Sequence, residues 1–214
     1  MEEISTREKM LNYIKKNPKS RIYSISDFSK FGTYSSIRKA LSRLEMEGRL
    51  IRVSRGFYKS SEYNKLINEE VASDPDHFAR TYAKAHGWKI APYREAALNM
   101  LGLSTQVPNV FQYVSDGPYR TVTLNDGRKI EFRHRTCREI SKLSYKEAAL
   151  LEALKTLGKE RISPDIRSRI LRRFSKKELE ALRKRVEKSR KWIYEEICRL
   201  IERSGNSVSH RQRD

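Results

Sequence analysis

Residues 33–59 read Thr-Tyr-Ser-Ser-Ile-Arg-Lys-Ala-Leu-Ser-Arg-Leu-Glu-Met-Glu-Gly-Arg-Leu-Ile-Arg-Val-Ser-Arg-Gly-Phe-Tyr-Lys, a helix followed by a two-stranded ribbon. Thr33 or Ser35 opens the helix, which runs to about Glu47 with Ile37, Ala40, Leu41 and Leu44 facing inward at helical spacing. Gly48 is the glycine that helices commonly take just past their end. Leu50–Val53 and Gly56–Lys59 are then two short strands joined by a tight Ser54-Arg55 turn. Upstream, Ser5 or Thr6 caps a first helix to about Lys16, carrying Glu8 near its start and a stripe of Met10, Leu11 and Ile14. Asn17-Pro18 ends it, because proline cannot continue the hydrogen-bond ladder. Ile22–Ile25 reads as a short extended piece, and Ser26 caps a second helix, Asp27–Lys30, closed by Gly32. Helix, strand, short helix, turn, helix and ribbon in that order predict a winged helix-turn-helix.

The third helix is then the recognition helix. Its inward residues leave Tyr34, Ser35, Ser36, Arg38, Lys39, Ser42 and Arg43 on the opposite side or at its N-terminal tip. Hydroxyls and cations of that kind suit phosphates and base edges. The free N–H groups at Thr33–Ser36 favour a phosphate there. In the wing, Ser54 and Arg55 at the turn, with Arg52 and Lys59 on the strands, are candidates for the backbone or the minor groove. A winged helix is equally a protein–protein module, and exposed Arg and Lys are the ordinary solvated face of a helix.

Charge tilts the balance toward a polyanion. The 214 residues hold 46 Lys plus Arg against 27 Asp plus Glu, a net charge of +19. Such an excess repels itself and fits a nucleic-acid partner. Residues 161–214 are the most basic part, with 17 basic and 8 acidic side chains. No apolar run of about 18 residues spans a bilayer, and the acidic Met1-Glu2-Glu3 start does not read as a secretory leader. Cys137 and Cys198 are far apart and suit a reducing cytoplasm without disulfides.

Residues 61–75 read as a linker and residues 76–160 as a small α+β domain. In that domain a helix runs from Asp76 to about His86, and Trp88–Ala91 is a short strand. Pro92 sits at the first turn of a helix Tyr93–Leu101. Strands at 110–115, 120–124 and 129–134 follow, with Asn125-Asp126-Gly127 as a hairpin signal. Tyr145–Leu157 is a helix ended by Gly158. No chemistry stands out: His77, His86 and His134 lack metal-ligand spacing, and no glycine loop cradles phosphate. Ser104-Thr105-Gln106 has no histidine near it in sequence to activate a nucleophile. No catalytic residue, metal or cofactor is expected.

Residues 161–204 read as a basic helical extension. Ser163-Pro164-Asp165 starts a short helix, and Ser175 with Glu178 forms a capping box for a long one. Leu179, Leu182, Val186, Ile193, Ile197 and Leu200 make one stripe interrupted at Ser189. That helix either packs its stripe against the middle domain or a partner, or offers Lys184, Lys188 and Lys191 from one face as a second nucleic-acid contact. Residues 205–214, where His210 falls, read as a disordered polar tail.

The motifs Gly87-Trp88-Lys89-Ile90-Ala91-Pro92, Ala97-Leu98-Asn99-Met100-Leu101-Gly102-Leu103-Ser104-Thr105-Gln106-Val107-Pro108 and Tyr113-Val114-Ser115-Asp116-Gly117-Pro118 carry a resemblance. With the helix Ala148–Gly158, they resemble the AbiEi-like antitoxins of type IV toxin–antitoxin systems over roughly residues 5–160. Tyr93-Arg94 departs from the small residues usual after that proline. The resemblance implies a winged helix that binds operator repeats in double-stranded DNA and represses its own operon. It also implies a domain that counters a nucleotidyltransferase-like toxin, although members also stand alone. The expected protein is thus a cytoplasmic, non-enzymatic transcriptional regulator and antitoxin. The alternative is an interaction module that binds a protein or RNA through the winged helix and the C-terminal helix. A nuclease or nucleotidyltransferase would need a carboxylate cluster for magnesium, which the sequence lacks.

Overall fold

A computed structural model of the chain describes residues 4–17, 21–61, 63–64, 69–70, 73–106, 108–135, 143–187 and 190–206. Pro18, Val107, Cys137, Lys188, Ser189 and the tail from residue 207, including His210, lie outside the described residues. Helix α1 (Thr6–Lys15) starts on a reciprocal cap in which Ser5 Oγ accepts from Glu8 N and the Glu8 carboxylate accepts from Ser5 N. Strand β1 (Ile22–Ser24) leads into a 3-10 helix, Ile25–Phe31. Its cap is Ser24 rather than the expected Ser26, with Ser24 N donating to Asp27 Oδ2 at 2.8 Å.

Helix α2 (Tyr34–Met46) follows, capped by Thr33, whose Oγ1 accepts from Ser36 N. Gly32 precedes that cap because a Cβ there would stand 2.6 Å from Ser36 Oγ and 2.8 Å from Thr6 Oγ1. Strands β2 (Leu50–Ser54) and β3 (Phe57–Ser60) close a three-stranded antiparallel sheet of order β1-β3-β2. Gly56 takes the left-handed φ of +79° that their two-residue turn demands. Met10, Tyr23, Phe28, Ile37, Leu41, Leu44 and Leu50 fill the core beneath.

Two short antiparallel strands, β4 (Tyr63–Asn64) and β5 (Glu69–Glu70), lie within the segment that reads as a linker. Helix α3 (Pro75–Ala85), capped by Asp74, was expected to open the middle domain. It belongs instead to the first of two compact units, which comprises residues 1–88 and 121–130. Aromatic packing explains this: Phe57 of β3 lies 5.3 Å from Phe78 and 5.1 Å from Tyr82. The turn at Asn125 joins the same unit through strand β2, which is bulged between Arg52 and Ser54. Asn125 N donates to Val53 O at 3.0 Å, and Asn125 Nδ2 donates to Arg52 O. Carbonyls that an edge strand would leave to water are satisfied there.

The second unit comprises residues 89–120 and 131–214. Its elements begin with β6 (Ile90–Pro92), α4 (Glu95–Met100) and β7 (Val110–Ser115). Strands β8 (Arg120–Thr123) and β9 (Lys129–His134), whose residues 121–130 count with the first unit, follow in a sheet of order β6-β7-β9-β8. Pro92 does not enter a helix; it ends β6 opposite Tyr113, and α4 begins only after Arg94 at φ +50°.

Helices α5 (Tyr145–Leu157), α6 (Pro164–Arg173), α7 (Lys176–Arg185) and α8 (Lys191–Asn206) follow. Two expectations change here. The stripe from Leu179 to Leu200 runs over two helices, because α7 ends at Val186, whose N–H bonds to Leu182 O and Arg183 O. Residues 161–204 are also no appendage: Leu179, Leu182, Val186, Ile193, Ile197 and Leu200 share one core with Leu98, Leu101, Leu150 and Leu154. Glu196, 2 % exposed, ties α8 to α6 by accepting from Arg167 Nε at 2.5 Å and Arg167 NH2 at 3.0 Å. Among the described residues no helix is long and apolar enough to cross a membrane.

Candidate nucleic-acid interface

Around α2 the four buried positions, Ile37, Ala40, Leu41 and Leu44, occupy one side of the helix. At about 100° per residue, the opposite half collects Ser35, Arg38, Lys39, Ser42, Arg43 and Met46, and Tyr34 stands at the N-terminal tip. All seven are exposed, Tyr34 to 64 % and Met46 to 78 %. Thr33 is exposed at the tip, while Ser36 is half-buried and spends its hydroxyl on the Thr33 carbonyl at 2.9 Å. The Arg38 guanidinium sits 5.8 Å from the Tyr34 ring centroid, one turn away.

One counter-charge is spent elsewhere. Arg7 from α1 holds Glu47 at 2.5 and 3.1 Å, and its hydrogen bond keeps the Glu47 carboxyl below the usual range. Among the described residues, Arg38, Lys39, Arg43, Arg52 and Arg55 form no ion pair. Five exposed cations without a carboxylate partner leave the surface positive and accessible.

The ribbon contributes Arg55 at its exposed turn and Arg52, exposed on β2 opposite Tyr58. Burial pushes the Tyr58 phenol up, while Arg52 and then Arg38 pull it down. Glu45 pushes the phenol up as well, so a carboxylate acts on the same ring as the two cations.

Two expected contacts fall away. Lys59 is only 8 % exposed because β3 is the central strand, and Ser54, also 8 % exposed, donates to Thr123 O at 3.4 Å. Neither reaches a ligand surface. Met46, exposed between Ser42 and the helix end, is not among the expected residues, because a lone methionine reads as core. Its exposed thioether and methyl offer the apolar contact that a thymine methyl accepts.

Lys184 and Lys191 are exposed but lie on different helices, α7 and α8, so the single face expected for them does not exist. Lys188 lies outside the described residues. Among the described residues no group of three or more His, Cys, Asp or Glu is placed to hold a metal ion. Cys198 is a half-buried free thiol.

The chain belongs to a family of unknown function, DUF6088, whose model matches residues 9–182, from within α1 to within α7. No curated protein matches it.

Proposed function

We propose that residues 1–60 form a winged helix-turn-helix that binds duplex DNA, and that the protein is a transcriptional regulator rather than an enzyme. The observation that carries this reading is the exposed half of α2, where Arg38, Lys39 and Arg43 stand among hydroxyls without any ion pair among the described residues. A helix of that width fits the major groove, and its side chains have the donors that phosphates and guanine edges accept. Tyr34 and Ser35 at the N-terminal tip add backbone N–H groups and hydroxyls where a phosphate would sit. The Arg55 turn is the wing, short because only two residues join β2 to β3. Lys59 and Ser54 are left out of the contact.

The antitoxin role is a further proposal that rests on the sequence resemblance at residues 87–118. In that role the protein represses its own operon and counters a nucleotidyltransferase-like toxin.

The test is a gel shift of the full chain on the DNA upstream of its own gene, against unrelated DNA of equal length. Preferential retention of the upstream fragment is expected. Equal, weak retention of both fragments would favour the interaction-module reading instead. For the antitoxin role, co-expression with any nucleotidyltransferase encoded beside it should restore growth that the nucleotidyltransferase alone arrests.

A further inference from the structure

Helix α3 has two faces. Phe78, Ala79, Tyr82 and Ala83 are buried, whereas His77, Arg80, Thr81 and Lys84 follow one another at spacings of three, one and three along the opposite side. That second face forms one wall of an open cleft of about 610 Å³, whose other wall is Arg21, β1 and the start of the 3-10 helix. The volume is that of a small-ligand site, but such sites are mostly apolar and this wall is cationic and polar. We propose that the cleft binds a phosphate group, held by Arg21, Arg80 and Lys84.

The disposition of donors supports this. Arg21 is fixed in place, with NH1 donating to Asn17 Oδ1 at 2.5 Å and NH2 to the Tyr13 hydroxyl at 3.1 Å. Its guanidinium also lies 5.2 Å from the Tyr23 ring centroid. A guanidinium has five N–H donors, so this anchoring leaves others for a ligand. Lys84 is exposed and makes no ion pair among the described residues.

The nearby acids are committed. Asp27 Oδ2 accepts from Ser24 N at 2.8 Å and from Ser24 Oγ at 3.0 Å, with Arg21 3.8 Å from its other oxygen. Asp76 holds Arg80 Nε at 3.0 Å. An anchored guanidinium, a second on the facing helix and an exposed ammonium form a clamp for a tetrahedral phosphate anion. No winged-helix contact is required for it, since the phosphate can come from a small phosphorylated molecule or from a phosphodiester backbone.

His77 supplies the readout. Burial holds its pKa below the ordinary value, Arg80 and Arg21 push the same way, and Asp74 and Asp76 oppose them. A phosphate anion in the cleft would stabilise the imidazolium and raise that pKa.

The experiment follows the histidine ring resonances of the full chain by NMR as pyrophosphate is added, with His77→Gln assigning the signal among the four histidines. Saturable movement of the His77 resonance and a raised pKa are expected, with affinity falling about tenfold or more in R80Q/K84Q. Glutamine is a good helix former at these positions, and K84Q alone serves if the double variant does not fold. A second arm adds short duplex DNA in place of pyrophosphate. Movement with DNA alone, lost in R80Q/K84Q, assigns the phosphate to a nucleic-acid backbone. Movement with pyrophosphate assigns it to a small ligand and holds even if the protein proves not to bind DNA. No movement in either arm, or movement that R80Q/K84Q leaves unchanged, overturns the proposal.

Discussion

Replacing Arg38, Lys39 and Arg43 together by alanine tests the α2 interface most directly. Each of the three is exposed and without an ion pair among the described residues, so each is available to neutralise a phosphate and release its counterion. The salt slope for B-DNA changes by about 0.9 for each such contact, so the triple variant should lose about 2.7 units of slope. Between 50 and 200 mM salt, wild-type affinity should then fall roughly 40-fold more than that of the variant. If one of the arginines also grips a guanine edge, its loss removes about 1–3 kcal/mol of discrimination at one base position.

The fold should survive, because alanine is the best helix former and no buried contact is removed. Weakened binding with an unchanged melting temperature is therefore the expected combination. The assay is fluorescence anisotropy of a labelled duplex from the upstream region at four salt concentrations, with circular dichroism alongside. Parallel plots of log affinity against log salt for the two proteins would refute the assignment of α2.

Three other outcomes are expected. Arg55→Ala at the wing should lower the salt slope by about one unit and weaken specific and random DNA alike; an effect confined to one base position would mean direct readout instead. Arg167→Ala should destabilise the protein in urea by less than the roughly 3–5 kcal/mol of a fully orphaned buried charge, since it strips the bidentate partner from the buried Glu196 carboxylate but leaves Arg199 at 3.3 Å. Adding Glu196→Gln should recover much of that loss, and equal stabilities for single and double variants would contradict the account. Glu178 is held down to about 2 by the Lys146 hydrogen bond and then by Ser175, so its contribution is present above the ordinary carboxylate pKa and is lost as pH falls from about 4.5 towards 2. Both side chains are more than a third exposed, so Lys146→Met should cost less than about 1 kcal/mol at pH 6 and less still at pH 3; a constant difference over that range would argue against the linkage.

Local signals in the sequence determined most of the elements and many of their bounds, though not β4, β5 or the break between α7 and α8. Thr33 and Gly48 bracket α2, Gly158 ends α5, and Asn125-Asp126-Gly127 announces the turn between β8 and β9. Caps, glycines and periodicity act within a few residues, which is why they can be read without a fold. The outward face of α2 was legible for the same reason, since four apolar positions define its inner side.

Only the tertiary structure decided which surfaces remain exposed and where the units divide. Lys59 and Ser54 look like any other wing residues until β3 becomes the central strand and Thr123, 69 residues further on, takes the Ser54 hydroxyl. Helix α3 carries an apolar face suited to either neighbour, and Phe57 settles which one it joins. The stripe from Leu179 to Leu200 reads the same whether one helix continues or two helices turn their inner faces to a single core, because periodicity records burial but not direction. The cleft at His77 belongs to this group too: Arg21 and Lys84 are 63 positions apart, and only the packing of α3 against β1 gives them one wall each. Such pairings depend on contacts between distant segments, and their partners cannot be read from either segment alone.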